Sequence, residues 1–134
     1  MIKKIDHIGV VVNDIEEALQ VYQQALGLTL AKIQDRPDQA VRIAFLPIGE
    51  SEIELVQPVT GDSGVARFLQ KRGEGIHHIC LEVDDIEQAL ANLQERGLQL
   101  IDETPRTGFQ GEKFAFIHPK STHGVLIELY EYPK

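Results

Sequence analysis

Gly75-Ile76-His77-His78-Ile79-Cys80 repeats, in the middle of the chain, the Ile5-Asp6-His7-Ile8-Gly9 of its opening strand. The likeness continues outward from both copies. Asn13-Asp14-Ile15-Glu16-Glu17-Ala18-Leu19 returns as Asp84-Asp85-Ile86-Glu87-Gln88-Ala89-Leu90, and Ile53-Glu54-Leu55 returns as Ile127-Glu128-Leu129. Tandem duplication is the simplest account, and two copies of so short a unit are too few for a solenoid.

Each copy reads as β-α-β-β-β. Residues 5–12 are rich in β-branched side chains and run into Asp14, a natural helix N-cap. Ile15, Ala18, Leu19, Tyr22, Ala25 and Leu26 then recur at helical spacing, and Gly27 stops the helix. Strands are expected over 28–33, 40–46 and 52–57, with a Pro37-containing loop over 34–39. Residues 60–75 join the copies and carry a short amphipathic helix over 64–71. The second copy offers a strand over 76–83, a helix over 86–96 ended by Gly97, and strands over 98–102, 113–118 and 125–130. The expected fold is α+β: one domain, 1–134, of two units (about 3–59 and 76–132), their sheets combining into one curved mixed structure.

With 134 residues and 43% apolar content, the chain suits one compact domain. A formal charge of −8 argues against nucleic acid and against an anionic membrane surface as partners, because phosphate binding relies on clustered cations. A single cysteine, Cys80, cannot form an internal disulfide, and no stretch of about 18 apolar residues is present. The expectation is a cytoplasmic protein acting on a small molecule.

Strand side chains alternate between faces, so parity decides which repeated residues can meet. Ile8, Val10 and Val12, like Ile79, Leu81 and Val83, belong to the core face. His7 and His78 take the other face; His77 turns to the core side. In the closing strands Ile53, Leu55, Ile127 and Leu129 face the core, leaving Glu54 and Glu128 opposite. Taken singly, a strand histidine is usually a hydrogen-bonded structural residue and an exposed-face glutamate is usually solvated. Solvation alone does not place the same residue types at equivalent positions twice. Two imidazoles and two carboxylates suit one divalent first-row ion with open positions for water or substrate. Cobalt, manganese, nickel, zinc, iron and magnesium are not separated by this argument.

Other features carry less. His118-Pro119-Lys120-Ser121 offers a donor and a cation after a strand, where proline and serine most often mark a turn. Arg67, Lys71 and Arg72 read as a solvated helix face, and Cys80 as a buried, inert thiol. No glycine-rich phosphate loop, serine-centred elbow or CxxC is present.

The duplicated unit with its His7, Glu54, His78, Glu128 set resembles the vicinal oxygen chelate superfamily over essentially the whole chain. Within it, three runs are similar to the methylmalonyl-CoA epimerase family: Lys4–Gly9, Arg72–Ile79, and His118–Ser121 leading into Gly124–Leu129. The resemblance implies a metal held by His7, Glu54, His78 and Glu128, Glu54 standing where some members have Gln. It implies interconversion of the C2 epimers of methylmalonyl-CoA by proton transfer through a metal-stabilised enolate, with Glu128 as one acid/base. Lys120 and Ser121 are expected at the substrate. Arg42 is expected to grip the substrate carboxylate, in a strand where some epimerases carry a Glu; Ala40 replaces a Gly common just before it. The partner implied is an acyl-CoA, and the assembly a homodimer. Glyoxalase I, acting on a glutathione hemithioacetal, is the enzyme alternative, and a small-molecule-sequestering protein of the same fold the non-enzymatic one.

Overall fold

The computed structural model describes all 134 residues. Eight strands and three helices follow the expected order: β1 (Ile2–Val11), α1 (Ile15–Leu19), β2 (Lys32–Arg36), β3 (Val41–Ile48), β4 (Ser51–Pro58), α2 (Gly64–Arg72), β5 (Gly75–Val83), α3 (Ile86–Glu95), β6 (Arg106–Thr107), β7 (Lys113–Ile117) and β8 (Ile127–Glu131). A 3₁₀ turn, Pro119–Ser121, precedes β8. The fold is α+β. No helix is long and apolar enough to cross a membrane.

The chain divides into two compact units, His7–His77 and Met1–Asp6 with His78–Lys134. These differ from the sequence repeats at both ends. Met1–Asp6 goes with the second half because the Met1 ammonium pairs with Asp84, Lys3 with Glu82 (3.3 Å), and the Tyr132 hydroxyl donates to Asp6 Oδ1 (2.5 Å). Residues 60–77 stay with the first half, where the Asn13 N–H donates to Glu74 and α2 packs against β4.

In the His7–His77 unit the strand order is β2-β3-β4-β1, with β1 parallel to β4 and the other pairs antiparallel. One face packs on α1: Val12, Ile15, Leu19, Ala44, Leu46 and Leu55 are buried together. The other face carries Val41, Ile43 and Val56, with Phe45 and Val65 of α2 against them. In the second unit the order is β5-β8-β7-β6, again with one parallel pair, and Val83, Ile86, Leu90, Ala115, Ile117 and Leu129 form the core under α3.

Local chemistry repeats with the sequence. Asp14 caps α1 by accepting the Glu17 N–H (3.2 Å), and Asp85 caps α3 by accepting that of Gln88 (3.1 Å). The first N–H of each helix is taken by a side chain from the end of its closing strand: Ile15 donates to Gln57 and Ile86 to Glu131, both at 2.8 Å. These bonds satisfy helix-start donors that have no partner within the helix. The first helix differs in one respect. Asp14 to Gly27 is one residue longer than Asp85 to Gly97, and the extra residue is absorbed by continuing α1 as a π-helical turn, Gln20–Ala25, in which the Leu26 N–H donates to the Val21 carbonyl (2.8 Å).

Two expected strands are displaced, for the same reason in both units. Leu28 and Leu30 alternate because they pack on the α1-side core, and hydrogen bonding to β3 begins only at Ala31. The ladder then runs through Arg36, into the expected loop. Leu98 and Leu100 likewise pack under α3; only Leu100 forms a bridge, to Ile117, and the ladder strand is β6 further on. Alternation here records burial of an extended segment, not membership of a sheet. Ala40, at the turn into β3, has φ 56°, a left-handed conformation that favours glycine.

Candidate metal centre

Each unit holds one buried imidazole–carboxylate pair. In the first, His7 on β1 and Glu54 on β4 are 5% and 8% exposed, with His7 Nδ1 3.2 Å from Glu54 Oε2. In the second, His78 on β5 and Glu128 on β8 are 9% and 8% exposed, with His78 Nε2 3.2 Å from Glu128 Oε1. Both pairs join the first strand of a repeat to the strand parallel to it. Glu54 lies between Ile53 and Leu55, which turn to the α1 core, so it takes the opposite face. Glu128 does the same between Ile127 and Leu129.

Burying a carboxylate is costly unless a positive charge accompanies it. An imidazolium supplies one, and so does a metal ion. The donor set fits a divalent first-row ion, since imidazole nitrogen and carboxylate oxygen are its ordinary ligands. The spacing fits too: two ligand atoms on neighbouring vertices of an octahedral ion at about 2.1 Å stand roughly 3.0 Å apart.

The other histidine of the duplicated stretch lies elsewhere. His77 meets Phe68 of α2 edge-on, ring centroids 4.9 Å apart. His78 has its own aromatic neighbour, Phe116 of β7, at 6.0 Å. Cys80 is fully buried opposite Glu128.

Arg42 is opposite Gln57 and shares its face with Ala44 and Leu46, on the α1 side of the sheet. Its guanidinium is held by Glu16 of α1 (3.1 Å) and Asp35 of β2 (3.5 Å). The residue opposite Glu54 is Phe45, and the β3 residues on that face are Val41, Ile43 and Phe45. Arg42 therefore lies on the face opposite to Glu54, and the β3 residues that share the face of Glu54 carry no titratable group. The Ser121 hydroxyl accepts the Gln99 N–H (2.8 Å), and the Lys120 N–H donates to His118 Nδ1 (3.0 Å), so the His-Pro-Lys-Ser run fastens a 3₁₀ turn to the segment after α3.

The second unit holds further buried polar groups that the sequence did not single out. Asp6 (5% exposed) accepts from Tyr132, and Glu112 (4% exposed) accepts the Gln110 N–H at 2.9 Å. Tyr130 follows Glu128 by two residues and so shares its strand face. Burial, and then the charges of Glu112, Glu128 and Asp6, push its phenol well above the usual value of 10.0. A raised folded-state pKa gives a stabilising contribution that is complete below about pH 10 and lost as pH rises beyond it. Tyr130→Phe removes that contribution. In urea unfolding between pH 8 and 11, the stability advantage of the native chain over Tyr130→Phe should shrink above pH 10; a constant difference would show that the phenol is not held neutral.

The chain's residues 6–116 match the Glyoxalase/Bleomycin resistance protein/Dioxygenase superfamily. It is 38% identical to the ethylmalonyl-CoA/methylmalonyl-CoA epimerase of Cereibacter sphaeroides, over 96% of this chain and 98% of that one. Against the mitochondrial methylmalonyl-CoA epimerase of Mus musculus it is 34% identical, over 94% of this chain and 71% of the relative. A solved structure of a variant Streptomyces coelicolor methylmalonyl-CoA epimerase, in complex with 2-nitronate-propionyl-CoA, superposes over 100% of both chains with a TM-score of 0.91 and 33% identity. The chain thus belongs to the methylmalonyl-CoA epimerase family within that superfamily.

Proposed function

We propose that His7, Glu54, His78 and Glu128 hold one divalent metal ion and that the chain interconverts the C2 epimers of methylmalonyl-CoA. The observation that carries this reading is the duplicated pair, a buried imidazole and carboxylate 3.2 Å apart at equivalent places in both units. Membership of a family whose relatives are named for this epimerisation supports it. A cytoplasmic location and a homodimeric assembly belong to the same reading.

When bound, the ion supplies positive charge to the substrate oxygens, where negative charge develops as C2 loses its proton. The rest falls to the protein. Glu128 takes the C2 proton of one epimer and, when the other epimer reacts, donates a proton on that same side. His7 and His78 keep the site's nitrogen donors fixed on strands, which hold geometry more tightly than loops. Delivery of a proton to the other face of C2 completes inversion, and Val41, Ile43 and Phe45 on β3 do not provide it. That face therefore depends on a water or on a group outside β3.

The test is exchange in deuterium oxide. With one epimer of methylmalonyl-CoA and added divalent metal, the enzyme should incorporate deuterium at C2 and bring the two epimers to equilibrium. No exchange above background, together with turnover of the methylglyoxal–glutathione adduct, would replace this reading with glyoxalase I chemistry.

A further inference from the structure

The duplication extends beyond the imidazole–carboxylate pairs. Across the first unit, Glu54 of β4 is opposite Phe45 of β3, and Phe45 is opposite Lys32 of β2. Across the second, Glu128 of β8 is opposite Phe116 of β7, and the β6 residue Arg106 lies over Phe116 and Phe114. Directly opposed residues share a face. Each unit therefore carries a carboxylate, a phenylalanine opposite it and a cation over a phenylalanine ring; in the first unit these form one cross-strand row, whereas in the second Arg106 is opposite Phe114, whose β8 partner is Tyr130. The Lys32 Nζ is 4.9 Å from the Phe45 centroid, and the Arg106 guanidinium is 5.3 and 5.6 Å from those of Phe114 and Phe116.

The two cations differ in what neutralises them. Arg106 is held by both oxygens of Asp102, at 3.0 and 3.1 Å. Lys32 has no carboxylate partner; its ammonium is directed by the ring of Phe45 alone. In a chain of net charge −8, an unneutralised ammonium drawn in over a ring, on the face that carries Glu54, stands out. Cation–π contact directs it without consuming its hydrogen-bonding capacity, because all three ammonium N–H groups still need acceptors.

We propose that Lys32 is a substrate-binding residue that takes an anionic oxygen group of the acyl-CoA, with Phe45 as the platform that aims it. This rests on the acyl-CoA reading of the site. Lys32, unlike Arg42, lies on the face of Glu54. An acyl-CoA with a free carboxyl offers two sources of such oxygens, that carboxylate and the phosphates of the CoA, and both match a lysine ammonium.

The test compares Lys32→Met, which keeps the length and removes the charge, with Lys32→Arg. In epimerase assays Lys32→Met should raise KM about tenfold or more with kcat within about twofold, and Lys32→Arg should recover most of the loss, as expected for a charged hydrogen bond. Calorimetric binding of three unreacting or truncated ligands reads the same contact without turnover: malonyl-CoA, propionyl-CoA, and the N-acetylcysteamine thioester of methylmalonate. Weakening confined to the carboxylate-bearing pair assigns Lys32 to the carboxylate. Weakening confined to the two CoA esters assigns it to the phosphates. Either supports the proposal. If the native enzyme epimerises and Lys32→Met matches it in KM and in binding all three ligands, or weakens all three equally, the proposal is overturned and the epimerase reading stands. If the native protein does not epimerise but Lys32→Met still weakens malonyl-CoA binding, the anion role survives and the epimerase reading fails. Absence of both epimerisation and binding removes both.

Discussion

Replacing His78 with alanine should strip the purified protein of its metal, while replacing His77, the adjacent histidine, should leave the metal in place. His78 Nε2 lies 3.2 Å from Glu128, buried at the centre of the second pair, whereas His77 lies against the ring of Phe68. Loss of a ligand exceeds the roughly 10- to 100-fold drop in affinity that follows loss of a group merely supporting one. Removal of the charge that the ion supplies to developing anionic oxygens is expected to lower C2 exchange on the order of 10³-fold. His77→Ala forfeits an edge-to-face contact of about 0.5–1.5 kcal/mol, so its signature is a melting point lower by a few degrees at unchanged metal content. Metal analysis by mass spectrometry alongside the exchange assay reads both. Metal retained in His78→Ala and lost in His77→Ala would refute the alternation argument and the ligand set with it.

How much of this was legible follows from what alternation can and cannot encode. In β1, β5 and the closing strands, apolar residues mark one face without interruption, so the opposite parity of His7, Glu54, His78 and Glu128 can be read directly. Duplication then pairs the residues. β3 is different because apolar residues occupy both its faces: Ala44 and Leu46 toward α1, Val41 and Ile43 away from it. Parity there has no sequence signal, and Arg42 falls on the side of Glu16, its ion-pair partner on α1. The Lys32–Phe45–Glu54 row was hidden for a related reason. It depends on which residue of β2 opposes which of β3, and the leucines before β2 mimic a strand that begins earlier than the ladder does. The placement of Met1–Asp6 with the second half is set by contacts to Glu82, Asp84 and Tyr132, far away in the sequence, that no local pattern announces.

Glu54 and Glu128 look interchangeable by burial and by their 3.2 Å contacts, but conversion to glutamine should separate them. Glutamine keeps an oxygen donor and the side-chain volume while removing the negative charge and the capacity to accept a proton. If Glu54 serves only as a ligand, Glu54→Gln retains an oxygen at the proposed metal, and C2 exchange should stay within about tenfold of the native rate. Glu128→Gln should retain most of the metal for the same reason, yet lose the group proposed to move the C2 proton. General acid–base catalysis contributes about 10²–10⁴-fold, so its exchange rate in deuterium oxide should fall by that order. Measuring metal content and exchange on the same samples keeps ligand loss apart from base loss. Equal, small effects in both variants would mean that proton transfer belongs to another residue, and the buried carboxyl groups nearest Tyr130 in the second unit, Asp6 and Glu112, would be the next to replace.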